Sequence, residues 1–228
     1  MTTSGHLRQN AAVTSFLAVL PDADQRRVRS AMVRRKFAKG TVVFHEGDPG
    51  ASCHLVVSGR FAVSVTTPLG NSAVLWLHGP DDFFGELALV SESASRTATV
   101  TTLEASTTLE LRRADFDQLC ADHPQVLRVL VAALGDRVAR TSELALSGLF
   151  RPVEQRVFHQ LVLLCELYLG PDPTGTLPLH QEVVAGMAGT TRPTVNRVLK
   201  QAETDGVITL GRGRIDVHDR AALVRRAR

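Results

Sequence analysis

The segment that most restricts the possible folds is QEVVAGMAGTTRPTVNRVLK, at residues 181–200. Two short helices that cross at a steep angle need a small residue at the crossing, and Ala185 is placed for that role. The tight turn between them needs a residue that tolerates positive φ, and Gly189 follows four positions later. The inner face of the second helix must be apolar, and it is supplied by Val195, Val198 and Leu199. The segment therefore predicts a helix-turn-helix, in preference to an ordinary helical hairpin with a solvated basic face.

The start and the outer face of the second helix carry residues suited to DNA. Thr191 is placed to cap its N-terminus, and Pro193 fits a first turn whose N–H groups lack partners in any case. The polar side chains predicted to point outward are Arg192, Asn196, Arg197 and Lys200. Arginine bonds the edge of guanine bidentately and asparagine reads adenine, so these residues are candidates for base contacts. The predicted DNA-binding set on this helix is completed by Thr191 and Thr194.

A second basic element follows the helix-turn-helix. Val207–Leu210 and Ile215–Val217 are β-prone runs that flank Gly211-Arg212-Gly213-Arg214. This pattern predicts a β-hairpin with a basic tip, which after a helix-turn-helix is a wing. Arg212 and Arg214 are expected to contact DNA phosphates, which position a protein without reading sequence.

The net charge is concentrated in the same part of the chain. Residues 1–150 hold 15 Lys and Arg against 15 Asp and Glu, whereas residues 151–228 hold 11 against 8. The whole excess of +3 therefore lies in the last third. A basic patch on one domain favours a phosphate backbone as partner. A basic tail that only solvates the surface is the alternative explanation.

Residues 37–111 have the composition of a β-domain. Short β-branched or aromatic runs alternate with turn-forming residues such as Ser58-Gly59. The runs are Thr41–Phe44, His54–Val57, Phe61–Val65, Ala73–Leu77, Thr97–Thr101 and Thr107–Leu111. Their spacing of roughly 8–12 residues predicts about seven strands in a sandwich or barrel. Before them, residues 14–36 predict a helix that opens near Pro21 and Asp22.

Residues 124–150 change to helical periodicity. Mostly apolar or small residues recur in steps of four and three at Leu127, Val131, Leu134, Val138, Thr141, Ala145 and Gly148. This pattern predicts the seam of a coiled coil, and the small residues at its end let two helices approach closely. A helix that lies on the β-domain needs only a stripe of period 3.6 and is the alternative. We expect a homodimer through this helix, and a further amphipathic helix over residues 152–170.

The segment FFGELALVSESASRTATV, at residues 83–100, combines groups that suit a phosphorylated ligand. Gly85 lets the backbone approach a ligand closely, and Glu86 offers a carboxylate that accepts from a ribose hydroxyl. The guanidinium of Arg96 matches one phosphate group, and Thr97 adds a hydroxyl. An anion nest can be completed by the backbone N–H groups of Glu86, Leu87 and Ala88. A surface ion pair between Glu86 and Arg96 is the alternative.

Other classes of protein are disfavoured by the sequence. No apolar stretch approaches the ~20 residues of a membrane span, and the polar start Met1–Asn10 does not resemble a secretory signal. Three cysteines without CxxC spacing argue against a disulfide framework and a cysteine-rich metal site, so we expect a cytoplasmic protein. No GxSxG, HExxH or Walker A motif is present, so we do not expect an enzyme.

Three segments together resemble the Crp–Fnr family of bacterial transcription regulators, close to its cyclic AMP receptor protein branch. They are KGTVVFHEGDPGASCHLVVSGR, FGELALVSESASRTA and GTTRPTVNRVLK. The resemblance covers roughly residues 15–218 and implies an α+β fold. Its implied domains are a cyclic-nucleotide-binding β-roll with an N-terminal helix at 1–122, a dimerisation helix and hinge at 123–150, and a winged helix-turn-helix at 151–228.

The resemblance also implies roles for individual residues. The family's phosphate-binding arginine, adjacent hydroxyl, ribose-binding glutamate and backbone contributors fall on Arg96, Thr97, Glu86, Gly85 and Leu87. In the cyclic AMP branch a Thr-Ser pair on the dimer helix contacts the purine, with the Ser coming from the partner subunit. This pair matches Thr141 and Ser142. Thr141 also falls on the predicted seam, where a polar residue that only fixes register is the alternative.

The implied effector is cyclic AMP, and cyclic GMP, another effector or no ligand remain open. The implied partners are a second copy of the chain, a palindromic double-stranded operator and RNA polymerase. A nucleotide-binding interaction module that binds no operator is the alternative from another class. No metal is expected. The iron–sulfur centre of the Fnr branch needs an N-terminal cysteine cluster, whereas the first cysteine here is Cys53. Haem is not expected at His45, His54 or His78.

Two departures from the family pattern affect the sites. The DNA-reading arginines correspond to Arg192 and Arg197, and the acidic residue between them is replaced by Pro193. This removes a carboxylate able to accept from cytosine, so the family's usual half-site is not carried over. Ser95 stands where the family's ligand segment often has Pro before the arginine.

Overall fold

The computed structural model describes residues 16–67, 70, 72–91 and 93–228. They form two compact units. The first contains the described residues up to Val65 together with Trp76–Ala139, and the second contains Thr66–Leu75 and Arg140–Arg228. The domain boundaries expected at 122 and 150 stay predictions, and the expectation for Met1–Asn10 lies outside the described residues.

The part of the chain before residue 113 is built on short strands. Eight strands precede residue 113 in the described part of the chain: β1 (Val33–Phe37), β2 (Val42–Phe44), β3 (Ser52–Ser58), β4 (Phe61–Thr66), β5 (Ser72–His78), β6 (Phe83–Phe84), β7 (Thr99–Thr102) and β8 (Ser106–Arg112). They form two four-stranded sheets, in the orders β1-β8-β3-β6 and β2-β7-β4-β5. An apolar cluster joins the sheets through Val56, Phe61, Val63, Phe84 and Val100. The expected α+β class with an N-terminal β-roll is confirmed.

The helix predicted over residues 14–36 is only partly correct. A short 3-10 helix covers Phe16–Val19, and helix α1 covers Asp22–Ala31. Val33–Phe37 is strand β1 instead, because it pairs antiparallel with β8 from Val33 opposite Glu110 to Phe37 opposite Ser106. Strand pairing with a distant segment decides this stretch, and the arginine-rich local pattern gives no sign of it.

Of the next three helices along the chain, the first lies between β6 and β7 and the other two follow β8. They are α2 (Leu87–Val90), α3 (Arg113–Asp122) and α4 (Gln125–Phe150). In its first half α4 buries Val126, Leu130 and Ala133 in a cluster shared with α1, α3, β3 and β8. One face of α4 therefore lies on the β-domain, as the alternative reading of the heptad pattern allows.

The predicted seam lies on a different face of α4. Val131 and Val138 are 69% and 67% exposed, and Leu127 is also exposed. Thr141 and Ala145 are exposed and Leu134 is half-buried. A stripe of large exposed apolar side chains is unusual on an isolated chain and is typical of an interaction surface.

The second unit contains helices α5 (Val153–Leu169), α6 (Gln181–Ala188), α7 (Arg192–Thr204) and α8 (Arg220–Arg226). Its strands are β9 (Gly175–Leu177), β10 (Ile208–Gly211) and β11 (Arg214–Val217), in the order β10-β11-β9. The β10–β11 hairpin follows α7 directly, as the wing prediction requires. Among the described residues, no helix is both long enough and apolar enough to cross a membrane.

Candidate functional site

Arg96 is a buried cation in the first unit. The residue comes after α2 in the chain. Two backbone carbonyls hold its side chain, because Nη1 donates to Ser52 O at 2.7 Å and to Gly85 O at 2.9 Å. Nη2 donates to Ser52 Oγ at 3.2 Å, and the guanidinium carbon lies 4.0 Å from the centre of the Phe44 ring. Burial lowers the pKa of Arg96 from its ordinary value. The guanidinium still carries its charge at neutral pH, because arginine is not deprotonated in proteins.

Gly85 is the residue that makes room for this cation. Its φ is +85°, a region that residues with a Cβ rarely adopt. A Cβ at this position would lie 2.6 Å from Arg96 Nη1. Glycine is therefore required both by the backbone conformation and by the approach of the guanidinium.

Glu86 is nearly inaccessible, with 1% of its surface exposed. It does not form the surface ion pair with Arg96 that stood as the alternative, because both residues are buried and Oε1 of Glu86 accepts from Nη1 of Arg137. Nη2 of Arg137 also donates to Phe83 O at 3.2 Å. Arg137 lies on α4, and the sequence analysis did not include it in the site. Its contact with Glu86 joins residues 51 positions apart, and no motif in the sequence marks it.

Two buried polar atoms of this site have no hydrogen-bond partner among the residues that the structure describes. They are Oε2 of Glu86 and Nε of Arg96. Unpaired buried polar atoms are costly, and native proteins rarely keep them without a purpose. One atom is an acceptor for a hydroxyl and the other a donor to an anion, which fits a ligand that carries ribose hydroxyls and a phosphate.

The remaining predicted ligand residues differ in their surroundings. Leu87 and Ala88 begin α2, whose first N–H groups have no acceptor within the helix. Arg113 ties α2 in place by donating to the carbonyl oxygens of Ala88 and Leu89. Thr97 is exposed next to Arg96.

Thr141 and Ser142 are also exposed, on α4 beyond Ala139, and they belong to the second unit. Their contact with a purine stays a prediction.

The helix-turn-helix of the second unit is formed by α6 and α7. Ala185 is buried in α6, and Gly189 ends that helix in the left-handed conformation at φ 58° and ψ 47°. The apolar face of α7 is buried through Val195, Val198 and Leu199. These placements agree with the roles expected from the sequence.

Helix α7 is called the reader helix from here on. Its outer face is exposed and polar. Its predicted reading residues Arg192, Asn196, Arg197 and Lys200 are all exposed. Each has an acidic or amide neighbour. Arg192 Nε lies 3.1 Å from Glu182 Oε1, and Asn196 Nδ2 donates to Gln181 Oε1 at 3.2 Å. Arg197 Nη1 lies 3.8 Å from Glu154 Oε1, and Lys200 Nζ lies 2.7 Å from Glu203 Oε2.

Thr191 occupies the N-cap position of the reader helix, as expected, but the expected capping hydrogen bond from its side chain is not formed. Thr191 is the residue before the first helical turn, but its side chain makes no hydrogen bond to the helix backbone. Its hydroxyl lies 3.0 Å from the hydroxyl of Thr194 instead. In the wing, Arg212 and Arg214 are exposed, and Arg214 Nε contacts Asp216 at 3.1 Å.

Comparison with known proteins extends these observations. Residues 34–123 match the family described as cyclic nucleotide-binding domain, and residues 155–226 match the Crp-like helix-turn-helix domain. The chain is 35% identical to the cyclic AMP receptor protein of Thermus thermophilus over 83% of its length and 86% of that protein. It is 32% identical to the CRP-like cAMP-activated global transcriptional regulator of Mycobacterium tuberculosis, over 84% and 87% of the two chains.

Solved structures show the same architecture. The catabolite activator protein of Thermus thermophilus is 31% identical, with a TM-score of 0.53 over 93% of this chain and 98% of that one. The c-di-GMP responsive regulator CLP of Xanthomonas campestris is 23% identical, with a TM-score of 0.76 over 87% and 99%. At that identity the second likeness concerns the fold alone.

The fold and its two sites define a DNA-binding transcription regulator with a cyclic nucleotide-binding domain. The chain belongs to the Crp–Fnr family of bacterial transcription regulators, in the branch of the cyclic AMP receptor protein. The relatives are regulators and not enzymes, in agreement with the sequence analysis.

Proposed function

We propose that the protein is a homodimeric regulator whose binding to a specific operator is controlled by a cyclic nucleotide, cyclic AMP. The observation that carries this proposal is Glu86, a buried carboxylate with one oxygen paired to Arg137 and the other without a partner among the described residues. A ribose hydroxyl is a suitable donor to that second oxygen. The names of the curated relatives support cyclic AMP as the nucleotide.

Arg96 is proposed to bind the cyclic phosphate. Its Nη atoms donate to neutral oxygens of Ser52 and Gly85, while Nε has no partner in the described part of the chain. A phosphate oxygen carries the negative charge that a carbonyl oxygen lacks, and the planar guanidinium pairs with phosphate in a geometry that a single carbonyl does not offer. Thr97 and the backbone of Gly85, Leu87 and Ala88 are proposed to complete the phosphate contacts.

The Glu86–Arg137 pair is proposed to couple nucleotide binding to the conformation of α4. Arg137 is part of α4, and its partner Glu86 lies immediately before α2 in the β-domain. A ligand that binds Glu86 changes the hydrogen bonding of the carboxylate that holds α4. A ligand shifts a conformational equilibrium only if it interacts differently with the two states, and this pair is where such a difference can arise.

The exposed seam of α4 supports the proposed dimer. Leu127, Val131 and Val138 form a stripe of large exposed apolar side chains on one helix. Pairing two copies of α4 would bury that stripe and bring Thr141, with Ser142 of the partner subunit, to the purine. Two reader helices about 34 Å apart would then contact successive major grooves of a palindromic operator.

The DNA contacts are assigned to the second unit. Arg192, Asn196, Arg197 and Lys200 are proposed to contact base edges, with Thr191 and Thr194 beside them and Arg212 and Arg214 on phosphates. A dimer bound to a promoter would also have RNA polymerase as a partner. Such a regulator acts in the cytoplasm, where bacterial DNA lies.

The test is a titration of the purified full-length protein with cyclic AMP and, separately, cyclic GMP. Binding is measured by calorimetry and duplex affinity by fluorescence anisotropy, before and after nucleotide addition. We expect cyclic AMP to bind more tightly than cyclic GMP and to raise operator affinity at least about tenfold, a coupling of about 1.4 kcal/mol. Arg96→Lys keeps the charge but loses the fork, and should abolish both effects. An absence of heat with either nucleotide, with unchanged DNA affinity, would contradict the proposed control.

A further inference from the structure

Two residues of α6 contact side chains of the reader helix that are proposed to read bases. Gln181 and Glu182 are the first two residues of α6. Glu182 Oε1 lies 3.1 Å from Arg192 Nε, and Gln181 Oε1 accepts from Asn196 Nδ2 at 3.2 Å. Arg192 and Asn196 are four residues apart and so lie on the same face of their helix. Two consecutive residues of α6 therefore hold two neighbouring reading residues of α7.

Fold stability does not account for these contacts. The side chains of Arg192 and Glu182 are 67% and 58% exposed. Ion pairs with this exposure contribute between nothing and about 1 kcal/mol, because water screens them and ordering two long side chains costs entropy. An acidic side chain on the surface that meets DNA also repels phosphates. The energy of the ion pair and a general attraction to DNA therefore do not explain why this carboxylate contacts Arg192.

The contacts restrict how each reading residue can be used. Glu182 engages Nε of Arg192, so the guanidinium is oriented with its two Nη atoms as the pair for N7 and O6 of guanine. Gln181 takes one hydrogen of the Asn196 amide, which leaves its second N–H and its oxygen for the two polar atoms of adenine. The reader helix itself has no acidic residue between Arg192 and Lys200, so the carboxylate beside Arg192 comes from α6.

We infer that Gln181 and Glu182 are positioning residues that determine base specificity, by orienting Asn196 and Arg192 toward adenine and guanine. This inference rests on the proposed function, because it requires that the reader helix contacts bases. It assigns part of the operator preference to α6, the helix that precedes the reader helix.

The experiment selects bound duplexes from a random pool, with the full-length protein and cyclic AMP, followed by sequencing. The base position read by Arg192 is identified as the one whose preference is lost in Arg192→Ala. Glu182→Gln should lower the preference for guanine there about three- to tenfold and leave other positions unchanged. Gln181→Ala should do the same for adenine at the position that Asn196→Ala identifies. Asp172→Asn, which removes one exposed charge from the loop before β9, is the matched control and should leave every preference unchanged.

A double variant separates positioning from a structural role. Glu182 is in the first turn of α6, where a carboxylate also stabilises the helix by interaction with its dipole. In the Arg192→Ala background, Glu182→Gln should have no further effect on base preference. If Glu182 acted only by stabilising α6, the substitution would change DNA binding in this background as well. If Glu182→Gln raises the affinity for all duplexes equally and changes no preference, the inference is wrong and the residue is only a repelling charge. If the wild-type protein enriches no sequence, the proposed function fails and this inference fails with it.

Discussion

The carboxylate of Glu86 and the guanidinium of Arg137 form a salt bridge in which the Glu86 side chain is 2% exposed and that of Arg137 is 18% exposed. The two residues are 51 positions apart in sequence and join the β-domain to the long helix α4. A carboxylate so deeply buried needs a compensating partner, because taking a charge out of water costs several kcal/mol. The pair thus explains how an acidic residue is kept at the centre of the proposed nucleotide site.

Removing the guanidinium should destabilise the first unit. Arg137→Gln leaves Glu86 buried without its counter-charge, and we expect the free energy of unfolding to fall by about 3 kcal/mol. The measurement is urea unfolding followed by the fluorescence of Trp76, the single tryptophan, in β5. Arg128→Gln, at an exposed position of the same helix, is the control and should change little. Equal losses in the two variants would show that the buried pair is not important for stability.

Gly85 should be essential for nucleotide binding through its contact with Arg96. In Gly85→Ala the new Cβ would lie 2.6 Å from Arg96 Nη1, so the guanidinium must move. We expect the affinity for cyclic AMP to fall at least about tenfold, measured by calorimetry. Gly40→Ala has a similar backbone strain, with φ +77°, but no atom within 4 Å of its Cβ. A comparable loss of affinity in Gly40→Ala would mean that strain, and not displacement of Arg96, is responsible.

The nucleotide site was only partly predictable from the sequence. Gly85, Glu86 and Arg96 lie within twelve residues, and their chemistry suits a phosphorylated ligand, although a surface ion pair was the alternative until the family resemblance was added. Arg137 could not be predicted in the same way, because its contact with Glu86 depends on how α4 packs on the β-domain. The carbonyls that hold Arg96 belong to Ser52 and Gly85, and backbone acceptors leave no trace in a sequence.

Removing the N-cap side chain should lower the free energy of unfolding more at α8 than at the reader helix. The Asp219 carboxylate accepts from Ala222 N–H at 2.8 Å and caps α8, whereas the Thr191 side chain makes no cap bond to the reader helix. Asp219→Ala should lower the free energy of unfolding of the second unit by about 1 kcal/mol, and Thr191→Ala by clearly less. Thermal unfolding monitored by far-ultraviolet circular dichroism compares them directly. A larger loss in Thr191→Ala would show that its hydroxyl caps the helix in solution.

The fold was predictable where local pattern and tertiary packing agree. In α6 and α7 the small residue Ala185, the left-handed Gly189 and the buried Val195 all follow from local requirements. In residues 33–37 the two conflict, because pairing with β8 takes this stretch into a sheet. Tertiary pairing also decides Phe83–Phe84, because this two-residue strand is formed by its pairing with β3.

The α4 seam should determine the oligomeric state. Val131→Asp places a charge on the exposed apolar stripe, so we expect a dimer to dissociate into monomers with little effect on the stability of the chain itself. Sedimentation velocity measures the change. Ala132→Asp introduces the same side chain at an exposed neighbouring position off the seam and should leave the dimer intact. A dimer that persists in Val131→Asp would place the subunit contact elsewhere.

His54 should make the stability of the first unit depend on pH. Its ring is buried, stacks on Phe84 with centroids 5.1 Å apart, and has Nδ1 3.1 Å from Thr108 Oγ1. Burial is the main cause that lowers the pKa of His54, the charge of Glu110 opposes it, and the charges of Arg96 and Arg35 add to it, which together bring the pKa to about 4. An unfolded histidine titrates near 6.5.

Between these two pKa values the unfolded chain binds a proton that the folded chain does not. The contribution of His54 to the free energy of unfolding is therefore fully present above about pH 6.5 and is lost as the pH falls toward 4. From pH 7 to pH 5 the loss should be about 2 kcal/mol, measured by urea unfolding with Trp76 fluorescence. His54→Gln should flatten this slope, whereas His45→Gln, at an exposed position after β2, should preserve it. If the slopes of wild type and His54→Gln coincide, the buried imidazole is not the group that titrates.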